Sequence, residues 1–133
     1  MTNKLIPLRI AGVGYSLPET VVTNDDLTKL YETSDEWIYS RTGIKERRLV
    51  SGEENAIDLG FKAAKNAIEK AGINPEEIDL ILAASSAPPD LYPAIACHIH
   101  KRLEISKPVP AFDITAACSG LIYGLSIAKA YIA

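Results

Sequence analysis

Cys118 sits in Ala116-Ala-Cys-Ser-Gly120, between a predicted apolar strand and a predicted apolar helix. A thiol at such a junction faces the positive end of the helix dipole, which favours the nucleophilic thiolate. The small residues on either side leave room for an acyl group to approach the sulfur. Backbone N–H groups at the helix start can also stabilise a tetrahedral oxyanion. A small core cysteine satisfies the same local pattern, so these residues alone leave both readings open. Cys97, in Ala96-Cys-His-Ile-His100, is expected inside a helix, away from its N-terminus and without comparable activation. Its Cys-x-x-His spacing to His100 invites zinc, but a zinc site usually needs three or four protein ligands and there is no second Cys/His pair. The expected arrangement is therefore a structural Cys97 with solvated or interfacial His98 and His100, and no metal.

Trp37 is the only tryptophan, and it follows three polar residues at a helix start. Its indole can stack on an adenine ring. Arg41 is one turn later on the same face, and Lys45-Glu-Arg-Arg48 follows with more positive charge. Together these suit an anionic, aromatic-headed ligand such as coenzyme A; an anchoring tryptophan beside a solvated basic stretch is the alternative. Gly12-Val-Gly14 lacks the third glycine of a dinucleotide fingerprint, because Leu17 and Pro18 occupy the region where it would fall. These glycines read as residues permitting a tight turn at a strand end. No phosphate-loop pattern of the G-x-x-x-x-G-K-[ST] type occurs, so nicotinamide and nucleoside-triphosphate chemistry find no support.

Strands and helices alternate around these residues. Leu5 to Val13 reads as a strand and Asp25 to Leu30 as a short helix. Thr33-Ser-Asp-Glu36 has capping-box spacing and opens a helix through Trp37 and Ile38 that Gly43 can end. Ile44 to Val50 is basic and irregular, with the character of a short edge strand. Ile57, Phe61, Ala64 and Ile68 predict an amphipathic helix over 55–71, stopped by Gly72. Asn74-Pro75 caps a short turn, and Leu80 to Ala84 reads as a strand covered on both faces. A Pro-rich loop over 87–93 leads to a helix carrying Ile95, Ile99 and Leu103. Phe112 to Thr115 follows as a buried strand, and Gly120 to Ala133, apolar on nearly all sides, as a central buried helix. This alternation predicts an α/β fold with a mainly parallel sheet. The last helix stops without a Gly, an Asn or a polar cap, which leads us to expect truncation or a second half supplied elsewhere.

The 133 residues are one domain's worth of sequence, 47% hydrophobic and 23% charged, as in globular chains. A net charge of −3 argues against a general nucleic-acid binder. No run approaches the roughly 20 apolar residues of a membrane span. Pro7 and Arg9 break up the N-terminal apolar stretch, making it a poor signal peptide. Two cysteines in apolar surroundings are not a disulfide framework, so a soluble protein of a reducing, cytoplasmic compartment is expected.

Two stretches resemble one family. Thr33-Ser-Asp-Glu-Trp-Ile-Tyr-Ser-Arg-Thr-Gly-Ile-Lys-Glu-Arg47 resembles the coenzyme-A-binding segment of β-ketoacyl-acyl-carrier-protein synthase III, and Pro110 to Gly120 resembles its nucleophile segment. The similarity runs from the first strand to the last residue, with the two motifs in the family's order. It implies a thiolase-like fold, of which residues 1–133 make the first α/β half, with a buried nucleophile helix, as the N-terminal portion of a dimeric enzyme. The resemblance implies that Cys118 takes an acyl group, typically acetyl, from acyl-CoA. Malonyl-acyl carrier protein then loses CO₂ and attacks the thioester, priming fatty-acid synthesis. It implies that Trp37 stacks on adenine, that Thr33 and Arg41 contact the nucleotide, and that the Cys118 N–H belongs to the oxyanion hole. Tyr92 falls where the family has a residue crossing the dimer interface into the partner's acyl pocket. No cofactor is implied beyond the coenzyme A thioester, which is substrate. The family's catalytic His and Asn lie beyond the stretch that this sequence matches, and His98 and His100 do not correspond to them. A starter-unit synthase of a polyketide or specialised-lipid pathway and a non-catalytic remnant are the alternatives.

Overall fold

The computed structural model describes residues 9–132, and the chain divides into two units, one over 17–55 and one made of the remainder. In the smaller unit, β1 (Thr20–Thr23) pairs antiparallel with β2 (Glu46–Leu49). Between them come the short helix α1 (Asn24–Thr28) and α2 (Asp35–Thr42). A capping box starts α1: Thr23 Oγ1 accepts from Asp26 N, and Asp26 Oδ2 accepts from Thr23 N. The N-cap of α2 is Ser34, whose Oγ accepts from Trp37 N at 3.1 Å, so the cap falls one residue after the expected Thr33. Either hydroxyl can cap, and the register of the first turn favours Ser34. Gly43 ends α2 at φ 70°, a left-handed conformation that suits glycine.

Asn24 organises this unit. It is 1% exposed, and its amide donates to Asp35 Oδ1 at 2.7 Å and to Ile44 O at 2.8 Å. Its Oδ1 accepts from Arg47 Nη2 at 2.7 Å. One buried side chain thus ties α1 to the first turn of α2 and to β2, with its donors and acceptor used.

In the larger unit, the predicted periodicity becomes α3 (Ala56–Ala71), ended by Gly72 at φ 67°. A 3-10 turn over Pro75–Glu77, capped by Asn74, leads to β3 (Ile81–Ala84). Then follow α4 (Ile95–Arg102), β4 (Ala111–Ile114), a 3-10 turn over Ala117–Ser119 and α5 (Gly120–Ile132). β3 and β4 pair in parallel, Ile81 opposite Ala111 and Ala84 opposite Ile114. Ile57, Ile81, Ile95, Ala96, Ile99 and Ile105 form the core, where α4 packs against one face of the β3–β4 pair and α3 packs on α4. α5 lies on the other face, with the Tyr131 and Phe112 rings 6.4 Å apart.

Four expectations are corrected here. The expected strand Leu5–Val13 lies partly outside the described residues, and 9–13 carry no strand ladder. Gly12 and Gly14 serve close approach instead of a turn. A Cβ on Gly12 would collide with the carbonyl oxygen of Ala67, and one on Gly14 with that of Ala63, because the backbone runs directly over α3. Last, α5 is not buried. Of its residues only Gly120 is, while Leu121, Ile122 and Tyr123 are more than half exposed. In this chain it rests on two strands, and a groove of about 720 Å³ lined by Leu82, Ala84, Ile114 and Leu125 remains open beside it. The same groove leaves the Leu82 and Ala84 side of β3 uncovered, against the expectation of cover on both faces.

Candidate active site

Cys118 occupies the middle of the tight turn that joins β4 to α5, and it is solvent-exposed. Ala116 has φ −145° and ψ 27°, and Ala117 has φ 43°, the left-handed region that a residue with a Cβ rarely adopts. Such conformations cost about 1–3 kcal/mol and persist where surrounding structure holds them. Here the turn is held by Ser119 N donating to Ala116 O at 3.0 Å and Ser119 Oγ donating to the same oxygen at 3.0 Å. Gly120 N donates to Ala117 O and starts α5. A Cβ on Gly120 would lie 2.9 Å from Ala84 Cβ, so glycine lets the helix start sit against β3. The sulfur is thereby presented outside the core at the N-terminal end of a thirteen-residue helix.

Cys97 departs from expectation in position. α4 begins at Ile95, so Cys97 lies in its first turn; it is solvent-exposed like Cys118, with Sγ donating to Ala111 O at 3.5 Å. His100 Nε2 is 3.4 Å from Lys107 O, and His98 Nε2 is shielded from solvent with no hydrogen-bond partner among the described residues. Among the described residues no group of three or more His, Cys, Asp or Glu side chains is placed to hold a metal ion. Nor is any helix among them long and apolar enough to cross a membrane.

The nucleotide-contact candidates belong to the smaller unit, and Cys118 and Tyr92 to the larger. Thr33 and Trp37, with Glu32 and Ser34, line a shallow cleft of about 410 Å³. The Arg41 guanidinium stands 4.5 Å from the centroid of the Trp37 ring, which is still 54% exposed. Tyr92 is 83% exposed in the loop ahead of α4, and the Tyr92–Pro93 peptide is cis.

Two residues escaped the sequence reading. Asn24 has no local signature, since its partners lie 11 to 23 positions away. Asp113 accepts from Ile95 N and Ala96 N, at 2.8 and 2.9 Å. A carboxylate within the apolar run Ala111 to Ile114 was a usable signal, because a part-buried charge requires donors.

No protein-family model matches the chain. It is 52% identical over 124 residues to β-ketoacyl-[acyl-carrier-protein] synthase III 1 of Vibrio vulnificus, covering 93% of this chain and 39% of that protein. It is 49% identical over 125 residues to the synthase III of Clostridium acetobutylicum, covering 94% and 38%. Among solved structures, the 3-oxoacyl-[acyl-carrier-protein] synthase III of Aquifex aeolicus superposes with a TM-score of 0.87 at 50% identity, over 92% of this chain and 39% of that one. The priming β-ketosynthase of the R1128 polyketide pathway superposes at 0.86 with 32% identity, over 95% and 39%. By sequence and by its thiolase-like α/β fold alike, the chain is similar over nearly its whole length to β-ketoacyl-[acyl-carrier-protein] synthases III, spanning about two-fifths of the length of the relatives it matches.

Proposed function

We propose that the chain supplies the acyl-accepting part of a decarboxylative condensing enzyme that primes fatty-acid synthesis. The observation that carries this reading is the exposed Cys118 on a strained turn at the start of α5. The Cys118 thiolate attacks the carbonyl carbon of an acyl-CoA, typically acetyl-CoA. A tetrahedral oxyanion forms against the Cys118 N–H, the C–S bond to coenzyme A breaks, and its thiolate leaves. Malonyl-acyl carrier protein then loses CO₂, and its α-carbon attacks the Cys118 thioester. The new C–C bond releases the Cys118 thiolate and a β-ketoacyl product. On the smaller unit, Trp37 stacks on adenine while Thr33 and Arg41 contact the nucleotide. Tyr92 serves a homodimer interface and the acyl pocket beyond it.

Residues 1–133 alone accept the acyl group without completing condensation. The histidines of the sequence, His98 and His100, both lie on α4, one shielded and one against a backbone carbonyl. Radiolabelled acetyl-CoA will label Cys118, label will be lost in Cys118→Ala, and it will persist in Cys97→Ala. Label that survives Cys118→Ala and disappears in Cys97→Ala would reverse the assignment. β-Ketoacyl product from purified residues 1–133, free of host enzyme, would refute the half-reaction limit. The likeness to a polyketide priming ketosynthase favours a starter-unit synthase as the second reading. Labelling by a bulkier acyl-CoA in preference to acetyl-CoA would select it.

A further inference from the structure

Helix α4 begins after Ala94, a residue with no side-chain acceptor for the first-turn N–H groups. The cap comes from another element. Asp113 Oδ2 accepts from Ile95 N at 2.8 Å, and Asp113 Oδ1 accepts from Ala96 N at 2.9 Å. Both carboxylate oxygens are engaged by consecutive N–H groups, an arrangement that is charge-assisted and aligned with the helix dipole. Ala111, on the same face of β4 by strand alternation, adds a second tether, accepting from Cys97 Sγ at 3.5 Å.

Two segments with proposed substrate contacts meet at this carboxylate. Tyr92 lies three residues before Ile95, so its loop enters α4 where Asp113 holds the helix. Cys118 lies five residues after Asp113, past the end of β4. The last ladder bond of the strand is Ser85 N donating to Ile114 O at 3.1 Å. Beyond it the chain passes directly into Ala116 and the strained Ala117, so the path of the turn depends on how firmly β4 is held. We infer that Asp113 is a positioning residue: its carboxylate registers α4 and the Tyr92 loop against the strand that delivers Cys118. For its effect on acyl transfer, though not for the mechanical coupling, this rests on Cys118 being the acyl acceptor.

Hydrogen–deuterium exchange of the whole chain tests the coupling without requiring activity. Asp113→Asn keeps one acceptor oxygen and removes the charge. The Ile95 and Ala96 amides should then exchange roughly tenfold faster, the loss of one charge-assisted bond. The 116–120 segment should also exchange several-fold faster, while α2 in the smaller unit stays at wild-type rates. Acceleration at 95–96 with 116–120 unchanged would mean a local cap and would overturn the inference. Should Asp113→Asn not fold, Asp113→Glu carries the same comparison, with exchange expected between wild type and the loss of the cap. In parallel, labelling of Cys118 by acetyl-CoA should slow about tenfold at saturation with KM within twofold, and Asp113→Glu should recover part of the rate. Slowing that appears wholly in KM would count against positioning. A wild-type chain that never labels would remove the acyl-acceptor reading, and the exchange data would still decide the coupling.

Discussion

Replacing Asn24 by alanine removes a fully buried side chain that makes three hydrogen bonds of 2.7–2.8 Å, two of them to the charged groups of Asp35 and Arg47. Charge-assisted bonds contribute about 1.5–3 kcal/mol each and a neutral one about 1 kcal/mol. Water entering the vacated space recovers part of this, since the partners are only part-buried. A net loss of about 3 kcal/mol is expected, at the upper end of ordinary point substitutions. Trp37, the single tryptophan, lies on α2 next to this network, so its fluorescence follows the smaller unit in a urea titration. With a urea slope of about 1 kcal/mol/M for so small a unit, the midpoint should fall by about 3 M, or the unit should be open without urea. Asn24→Asp separates packing from bonding. It preserves volume and the acceptor for Arg47, but sets a carboxylate against Asp35 Oδ1 and Ile44 O. It should therefore destabilise at neutral pH and recover on acidification, as one of the two facing carboxylates takes a proton. A midpoint shift below about 0.5 M for Asn24→Ala, or a silent Asn24→Asp, would refute the role of this network.

Gly14→Ala should lower the thermal midpoint by several degrees, because the added methyl meets the α3 backbone rather than a flexible side chain and costs about 2 kcal/mol or more. An unchanged midpoint would show that the 9–16 segment lifts off α3 freely. Glu76 accepts from Ser106 N at 2.7 Å, and this bond holds its carboxyl below the ordinary value of 4.5. The folded state thus favours its ionised form, so the contribution is complete above that value and is lost as pH falls through the depressed one. Glu76→Gln should flatten the pH dependence of the midpoint in that acidic window, and an identical profile would refute it. Arg41→Ala removes the cation over Trp37 and, if the nucleotide binds there, should weaken coenzyme A binding about three- to tenfold in a Trp37 quenching titration. Unaltered quenching would take Arg41 out of the site.

What could be read in the sequence was whatever depends on neighbours a few positions away. The helix α3 declares itself by the spacing of Ile57, Phe61, Ala64 and Ile68, and its end by Gly72. The turn carrying Cys118 is legible because a strand must give way to a helix within a few small residues. The cap of α2 is ambiguous by one residue in the sequence, since Thr33 and Ser34 offer the same hydroxyl and only the backbone path chooses Ser34. The meaning of Gly12 and Gly14 was misjudged for a related reason. A turn and a close helix crossing both call for glycine, and only the position of α3 tells them apart. Asn24 and Asp113 were missed because their partners sit on other elements, where no periodicity connects them.

Helix α5 shows where hydropathy stops being informative. Leu121, Ile122, Tyr123 and Leu125 spread apolar surface around the cylinder, and the sequence therefore asks for burial on several sides. Burial, however, is a property of two surfaces, and β3 and β4 supply only one. What the sequence encodes locally is the approach: Gly120 against Ala84 lets the helix start close on the strands while its outer faces stay open. The Cys118 turn is thus anchored from the strand side, by the small-residue contact at Gly120 and by β4 with its Asp113 link to α4. Those contacts lie on the strand side of the turn, away from the exposed face of α5. That is why acyl acceptance at Cys118 can be tested in this chain apart from condensation.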